Sequence, residues 1–231
     1  MFRNFKAIED YVLSKKQVKT VVLANAFDDH ALEALVMAKR KGIVKGILIG
    51  DVVRIKKMLE DLGENGEDYE FIEEADELAS AKLAVKLVKE KKADMPMKGL
   101  MMTSSFMKAI LDKENGLINP GHILSQATIL EFKEENRLMV ISDCAVNIMP
   151  DANKKIMITQ NAIDLAVSLG IEKPNVAVLS ALEKVNPAIP STVDASIVAS
   201  YDKYNNLGNI IGPVAMDIAV SKEAALHKGV D

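Results

Sequence analysis

The chain has 231 residues, 49% hydrophobic and 27% charged, a balance that supports a buried core and excludes a disordered or fibrous polypeptide. Its formal net charge of −4, with lysines interleaved among Asp and Glu, gives no concentrated basic face, so nucleic acid is excluded as the main partner. The single cysteine, Cys144, rules out an internal disulfide framework, and three scattered histidines give no zinc spacing. No apolar run reaches spanning length and the N-terminus is charged and amphipathic, so neither a membrane nor secretion is expected; a reducing cytoplasm is.

In chain order, Phe2, Phe5, Ile8, Val12 and Leu13 recur at helical spacing and predict a helix over 3–16. Thr20–Ala26 reads as a buried parallel strand, and Asp28 or Asp29 as the cap of a helix ending at Gly42. Gly46–Gly50 is the next strand, with Asp51 capping a helix to Leu62; Tyr69–Glu73 is a short strand, and Asp76–Lys92 a long helix. The run MPMKGLMMTSS carries a strand into a turn at Gly99, with Thr103, Ser104 and Ser105 as candidate caps of a helix to Leu111.

The turn formers of Asn115–Gly121 mark the expected boundary, dividing the chain into an N-terminal lobe, 1–117, and a second lobe, 118–231. Ile123–Phe132 and Arg137–Asp143 predict adjacent strands joined by a hairpin turn at Lys133–Asn136. A helix from Ala152 to Leu169 ends at Gly170 and precedes a strand beginning at Asn175. Ser191–Asp194 open a helix to Tyr204, and Val214–Lys228 contains the last helix. The alternation predicts an α/β fold.

Dinucleotide-binding, Walker and H-E-x-x-H signatures are missing. In open α/β sheets, ligands gather beyond the carboxyl ends of the strands. Polar clusters fall there at Lys98–Ser105, Ser142–Asn147, Leu182–Asp194 and Gly212–Asp217. Taken alone, Lys98, Gly99, Thr103 and Ser104 fit either a capped helix with a solvated lysine or an anion site. Cys144 after an apolar strand reads as a small packing residue, and no histidine is placed to make it a nucleophile. Pro187 and Pro190 stiffen the loop that carries Lys184, Asn186, Ser191 and Thr192.

The strings SDCAVNIMPD (142–151), EKVNPAIPSTVDA (183–195) and GPVAMDIAVSKEAALHKG (212–229) resemble the phosphate acetyl/butyryl transferase family, above all its butyryl-transferring branch. The resemblance runs from about Lys98 onward and is weaker before it. It implies two α/β lobes with a central cleft, of isocitrate/isopropylmalate dehydrogenase-like architecture, the second lobe truncated. The reaction implied moves a butyryl or other short acyl group between coenzyme A and inorganic phosphate; acyl-CoA, phosphate and acyl phosphate are the small-molecule partners. Coenzyme A is then a substrate, with no cofactor and no metal, and a homodimer is expected.

Asn186, Ser191, Thr192 and Asp217 take the catalytic roles, and Lys98, Gly99, Thr103, Ser104, Asp143, Asn147, Lys184 and Gly212 the binding roles. Lys98, Thr103, Ser104, Asn186, Ser191 and Thr192 would stabilise phosphate and the carbonyl oxygen, with Asp143 and Asp217 as orienting carboxylates. Two departures qualify the resemblance. Gln126 stands where the butyryl branch has a histidine after Leu-Ser. Family members also continue beyond the His-Lys-Gly of 227–229 into a segment with an arginine for phosphate and an aspartate base, so an inactive chain is one expectation. The alternative is a non-catalytic acyl-CoA- or phosphate-binding or assembly module of the same fold. A third reading, a relative of the decarboxylating dehydrogenases, lacks their clustered Asp ligands.

Overall fold

Thr20–Ala24 is an unbroken run of buried residues, which suits a strand covered on both faces, and it lies at the centre of a parallel sheet. The computed structural model describes residues 1–204 and 206–229; Asn205, and Val230 and Asp231 of the expected second lobe, lie outside the described residues. Two units emerge, one of Glu9–Gly121 and one of Met1–Ile8 with His122–Asp231.

In the first unit, β1 (Lys19–Ala24), β2 (Val44–Gly50), β3 (Glu70–Glu73) and β4 (Met95–Lys98) form one parallel sheet in the order β3-β2-β1-β4. Alternation along β1 assigns its faces. Val21 and Leu23 pack with Leu32 and Leu35 of α2 (Asp29–Arg40) and with Ile55 and Leu59 of α3 (Val52–Asp61). Val22 and Ala24 pack with Ala81, Ala84 and Val85 of α4 (Glu77–Lys89) and Ala109 of α5 (Thr103–Ile110). Leu23, Leu32, Leu48, Ile55 and Leu59 are wholly enclosed. Burying each stabilises the fold by roughly 1.5–3 kcal/mol relative to exposure.

Local chemistry sets the helix ends as the sequence implies. Asp28, Asp51 and Asp76 each accept a hydrogen bond from a first-turn amide. Helix α1 (Phe5–Ser14) precedes β1. The capping expected of Thr103, Ser104 and Ser105 is corrected: Met102 holds the cap position without a side-chain bond, and Thr103 is already helical.

The second unit opens with the antiparallel hairpin β5 (Ala127–Phe132) and β6 (Arg137–Ser142), turning through Lys133–Asn136 as expected. Helix α6 (Ala152–Ser168), capped by Asp151, leads to β7 (Asn175–Leu179). Helix α7 (Pro190–Ala199) starts one residue earlier than expected and ends before Tyr204. Strand β8 (Asn209–Val214), which the sequence reading lacks, pairs parallel to β7. The single helix expected over Val214–Lys228 is two, α8 (Met216–Val220) and α9 (Lys222–His227). They are separated by Ser221, whose extended backbone ends one and whose hydroxyl caps the other. Here the core is smaller, gathered around Ile163, Val198 and Tyr204.

Candidate active site

In the second unit the chain after β6 folds around one carboxylate. Asp143 Oδ1 accepts from the Ala145 and Val146 amides, both at 2.9 Å. Its Oδ2 accepts from Asn147 Nδ2 at 2.7 Å and the Gln126 amide at 3.2 Å. Partial burial pushes this carboxyl up, but the Val146 amide, the Asn147 side chain and the Ala145 and Gln126 amides outweigh it and hold the pKa at about 2. Asn147 also donates to Leu124 O at 2.9 Å, and Gln126 Oε1 accepts from the Cys144 amide at 3.0 Å. Gln126 thus anchors the Asp143–Asn147 turn to the start of β5.

Asp143, Cys144, Asn147 and Ser191 line a single cavity of about 1270 Å³, together with Lys155 of α6. Ser191 Oγ lies 2.8 Å from Ser180 Oγ just past β7, which orients the hydroxyl. Lys155 Nζ pairs with Asp194 Oδ2 at 2.7 Å. The sequence reading omitted Lys155; its position in an ordinary-looking Asn-Lys-Lys helix start gave no signal, and only the packing of α6 on α7 brings it to Asp194.

The remaining expected residues of this unit have other surroundings. Thr192 is fully buried, and its hydroxyl accepts from the Asn186 amide at 2.8 Å and donates toward Ile189 O and Asn186 O. Ser191 and Thr192 were expected to cap α7; instead Ile189 holds that position without a side-chain bond and Pro190 begins the helix. Asn186 Oδ1 accepts from the Ala188 amide at 3.0 Å, so Asn186 and Thr192 close their own loop. Lys184 is exposed.

Gly212 sits within β8 rather than ahead of a helix. A Cβ there would lie 2.8 Å from Val178 Cβ and 3.1 Å from Ala195 O, so glycine permits β8 to press against β7 and α7. The Ser142–Asp143 and Gly212–Pro213 peptide bonds are cis. Asp217 lies in the first turn of α8, is 53% exposed and pairs with Lys228 Nζ at 3.0 Å. That ammonium holds the Asp217 carboxyl below its ordinary value. Lys228 also reaches Glu183 at 3.3 Å, tying α9 to the 183–195 loop.

In the first unit, Lys98 ends β4, and its ammonium donates to Met101 O at 3.0 Å. Gly99 is buried: a Cβ would lie 2.7 Å from Ala24 O and collide with Asn25 O, so only glycine lets the turn pass the end of β1. Thr103 and Ser104 are exposed in the first turn of α5. Among the described residues no group of three His, Cys, Asp or Glu side chains is arranged to hold a metal ion. No described helix is long and apolar enough to cross a membrane.

A four-stranded parallel sheet with helices on both faces, joined to a unit whose polar turns meet at one cavity, defines an α/β protein of the phosphotransacylase fold. The structure matches a branched-chain phosphotransacylase from Enterococcus faecalis with a TM-score of 0.77 and 27% identity, covering 93% of this chain and 75% of that one. A phosphotransacetylase from Streptococcus pyogenes matches with a TM-score of 0.77 at 21% identity, covering 98% of this chain and 77% of that one.

Residues 58–231 match the family model described as phosphate acetyl/butaryl transferase, and the chain belongs to that family. It is 39% identical over 232 residues to a phosphate butyryltransferase of Clostridium acetobutylicum, covering 100% of this chain and 76% of that protein. A phosphate acetyltransferase of Thermotoga maritima is 32% identical over 220 residues, covering 94% and 74% respectively.

Proposed function

We propose that this protein is a phosphotransacylase, transferring a butyryl or similar short acyl group between coenzyme A and inorganic phosphate. The match to a phosphate butyryltransferase along the whole of this chain carries the reading. In the direction of thioester formation, the thiol sulfur of coenzyme A attacks the acyl-phosphate carbonyl. The carbon–oxygen bond to phosphate breaks, phosphate leaves, and the thiol proton passes to a base. Coenzyme A serves as a substrate, and the chemistry asks for no cofactor.

Ser191 stands at the cavity as a donor for a carbonyl oxygen or phosphate; Asn147, its amide hydrogens held by Asp143 and Leu124, fixes the turn beside the cavity, and Lys155, paired with Asp194, also lines it. Asp143 is an orienting carboxylate. Held at about 2, it is too weak a base to take a thiol proton near neutrality. The Lys228 ammonium also lowers the Asp217 carboxyl from its ordinary value. Asn186 and Thr192 shape the loop that presents Ser191, and within the first unit Lys98, Gly99, Thr103 and Ser104 are proposed in their own right as phosphate-binding groups. Lys184 supplies cationic potential, Gly212 seats β8, and Asp217 steadies Lys228. An isocitrate/isopropylmalate dehydrogenase-like architecture, a homodimer and a cytoplasmic setting complete the reading.

The test is thiol release from butyryl-CoA with phosphate present, compared with acetyl-CoA. Phosphate-dependent release, faster with butyryl-CoA, is expected. Saturable coenzyme A binding without release overturns the enzymatic reading in favour of a binding module.

A further inference from the structure

Asn25 directly follows β1 and is unusual on three counts. Its backbone is left-handed, with φ of 52°, in a residue that carries a Cβ. It is only 5% exposed. Its Oδ1 is, among the described residues, the one buried side-chain nitrogen or oxygen with no hydrogen-bond partner. Buried acceptors are ordinarily paired, so a lone one calls for a reason.

The rest of the residue supplies it. Asn25 Nδ2 donates to Leu100 O, 75 positions along the chain, and Asn25 O accepts from the Leu100 amide at 3.1 Å. Both backbone groups of Leu100 are therefore held by one residue. The Asn25 amide is fixed in turn, donating to the hydroxyl of buried Ser80 at 2.8 Å. A side-chain amide brings donor and acceptor together, and turning it over would set Oδ1 against Leu100 O, acceptor against acceptor. Committing Nδ2 to Leu100 leaves Oδ1 unpaired.

Packing alone does not hold the turn that contains Leu100. Leu100 and Met102 are exposed, and of the residues between Gly99 and α5 only Met101 is buried. The Gly99 amide donates to Ala24 O at 2.9 Å, and Lys98 Nζ donates to Gly99 O at 3.3 Å and Met101 O at 3.0 Å. The turn thus carries Lys98 at one end and runs into Thr103 and Ser104 of α5 at the other, with Leu100 between them.

We infer that Asn25 is a positioning residue for phosphate: by clamping Leu100 it fixes the turn, and with it the places of the Lys98 ammonium and the Thr103 and Ser104 groups, on the proposed reading of those three as phosphate-binding. Asparagine meets every demand of the position. It tolerates the left-handed region better than most residues with a Cβ. Glycine adopts the same backbone but offers no side-chain donor, and aspartate turns an acceptor toward Leu100 O.

The experiment titrates inorganic phosphate into the isotope-labelled whole chain and follows the Thr103 and Ser104 amide resonances. Saturable shifts are expected in the wild type. Asn25→Gly should raise the Kd for phosphate at least tenfold and speed hydrogen exchange at the Leu100 amide at least tenfold, while the resonances of α2 and α3, on the other face of the sheet, stay in place. In turnover, KM for phosphate should rise at least tenfold with KM for butyryl-CoA unchanged, a split that general loosening of the fold would not produce. Asn25→Asp should do the same, and it decides the matter if the glycine variant does not fold. Faster Leu100 exchange with phosphate affinity unchanged makes Asn25 a structural clamp only and overturns the inference. So does phosphate that leaves Thr103 and Ser104 unmoved in the wild type. Asn25-dependent phosphate binding by a chain that releases no thiol would sustain the inference and sink the transferase reading, so the two fail separately.

Discussion

Asn147 Nδ2 donates to Asp143 Oδ2 at 2.7 Å, which makes the aspartate the organiser of its own turn rather than a free acid. Asp143→Asn removes the charge and sets an amide N–H₂ against donors. The expected cost is about 1–3 kcal/mol, with at least a tenfold loss of kcat/KM as the cavity mouth loosens. The wild-type carboxyl titrates at about 2 against an ordinary 3.8. Its stabilisation is full above 3.8 and is lost as pH falls from there through 2. Urea unfolding of both forms between pH 2 and 6 should show a difference that shrinks across that window.

Ser191 and Thr192 are neighbours with separate tasks. Thr192→Val removes the acceptor of the partly buried Asn186 amide, and about 1–3 kcal/mol of stability should go with it. Ser191→Ala should leave the unfolding midpoint within about 0.5 kcal/mol of wild type while kcat/KM falls at least tenfold. Equal stability losses for the two would remove Ser191 from the site.

Glu64 is the hub of an ion-pair network in the first unit. It accepts from Lys39 and Arg40, each at 2.8 Å, and from the Tyr69 hydroxyl at 2.7 Å. The Lys39 ammonium is the chief cause of a carboxyl held at about 2; burial opposes it, while Tyr69 and Arg40 assist. The sign follows from a depressed folded pKa: the stabilisation is full above about 4.5 and disappears as pH falls through 2. Glu64→Gln should cost about 1–3 kcal/mol at pH 7 and almost nothing near pH 2, as read from denaturant midpoints.

Two glycines are set by close approach. Gly99→Ala forces a methyl against the backbone carbonyls of Ala24 and Asn25, which belong to the central strand and its turn and cannot retreat. Gly212→Ala meets Val178 Cβ at 2.8 Å and the Ala195 and Val178 carbonyl oxygens at 3.1 Å, a less severe approach than at Gly99. Overpacking at Gly212 should cost about 1–3 kcal/mol, and Gly99→Ala should cost more. Denaturant midpoints in that order, with β8 retained by circular dichroism in Gly212→Ala, check the ranking.

The first unit was legible almost entirely in its residues. β-branched runs bounded by Asp caps and helix-ending glycines give β1 to β3 and α2 to α4 by local rules, because each element carries its own start and stop. Strand β8 was not legible: Asn209–Val214 contains Gly-Pro, which reads as a turn until β7 and α7 are packed against it. The break at Ser221 was hidden for a related reason, since one serine in a run rich in Ala, Lys, Glu and Leu reads as part of a helix, and only its extended backbone separates α8 from α9. Among the site residues, the loop strings identified the family, whereas the pairing of Asp143 with Asn147 and the burial of Thr192 needed the folded loops.

Composition, periodicity and capping residues were enough to specify the α/β class, the central strands and the polar turns that carry the family resemblance, because these follow from interactions within a few residues. Long-range packing selected which of those turns share a cavity, brought Lys155 to Asp194, and set Asn25 against Leu100. Contacts between residues dozens of positions apart depend on how whole elements pack, and no local pattern in the chain encodes that.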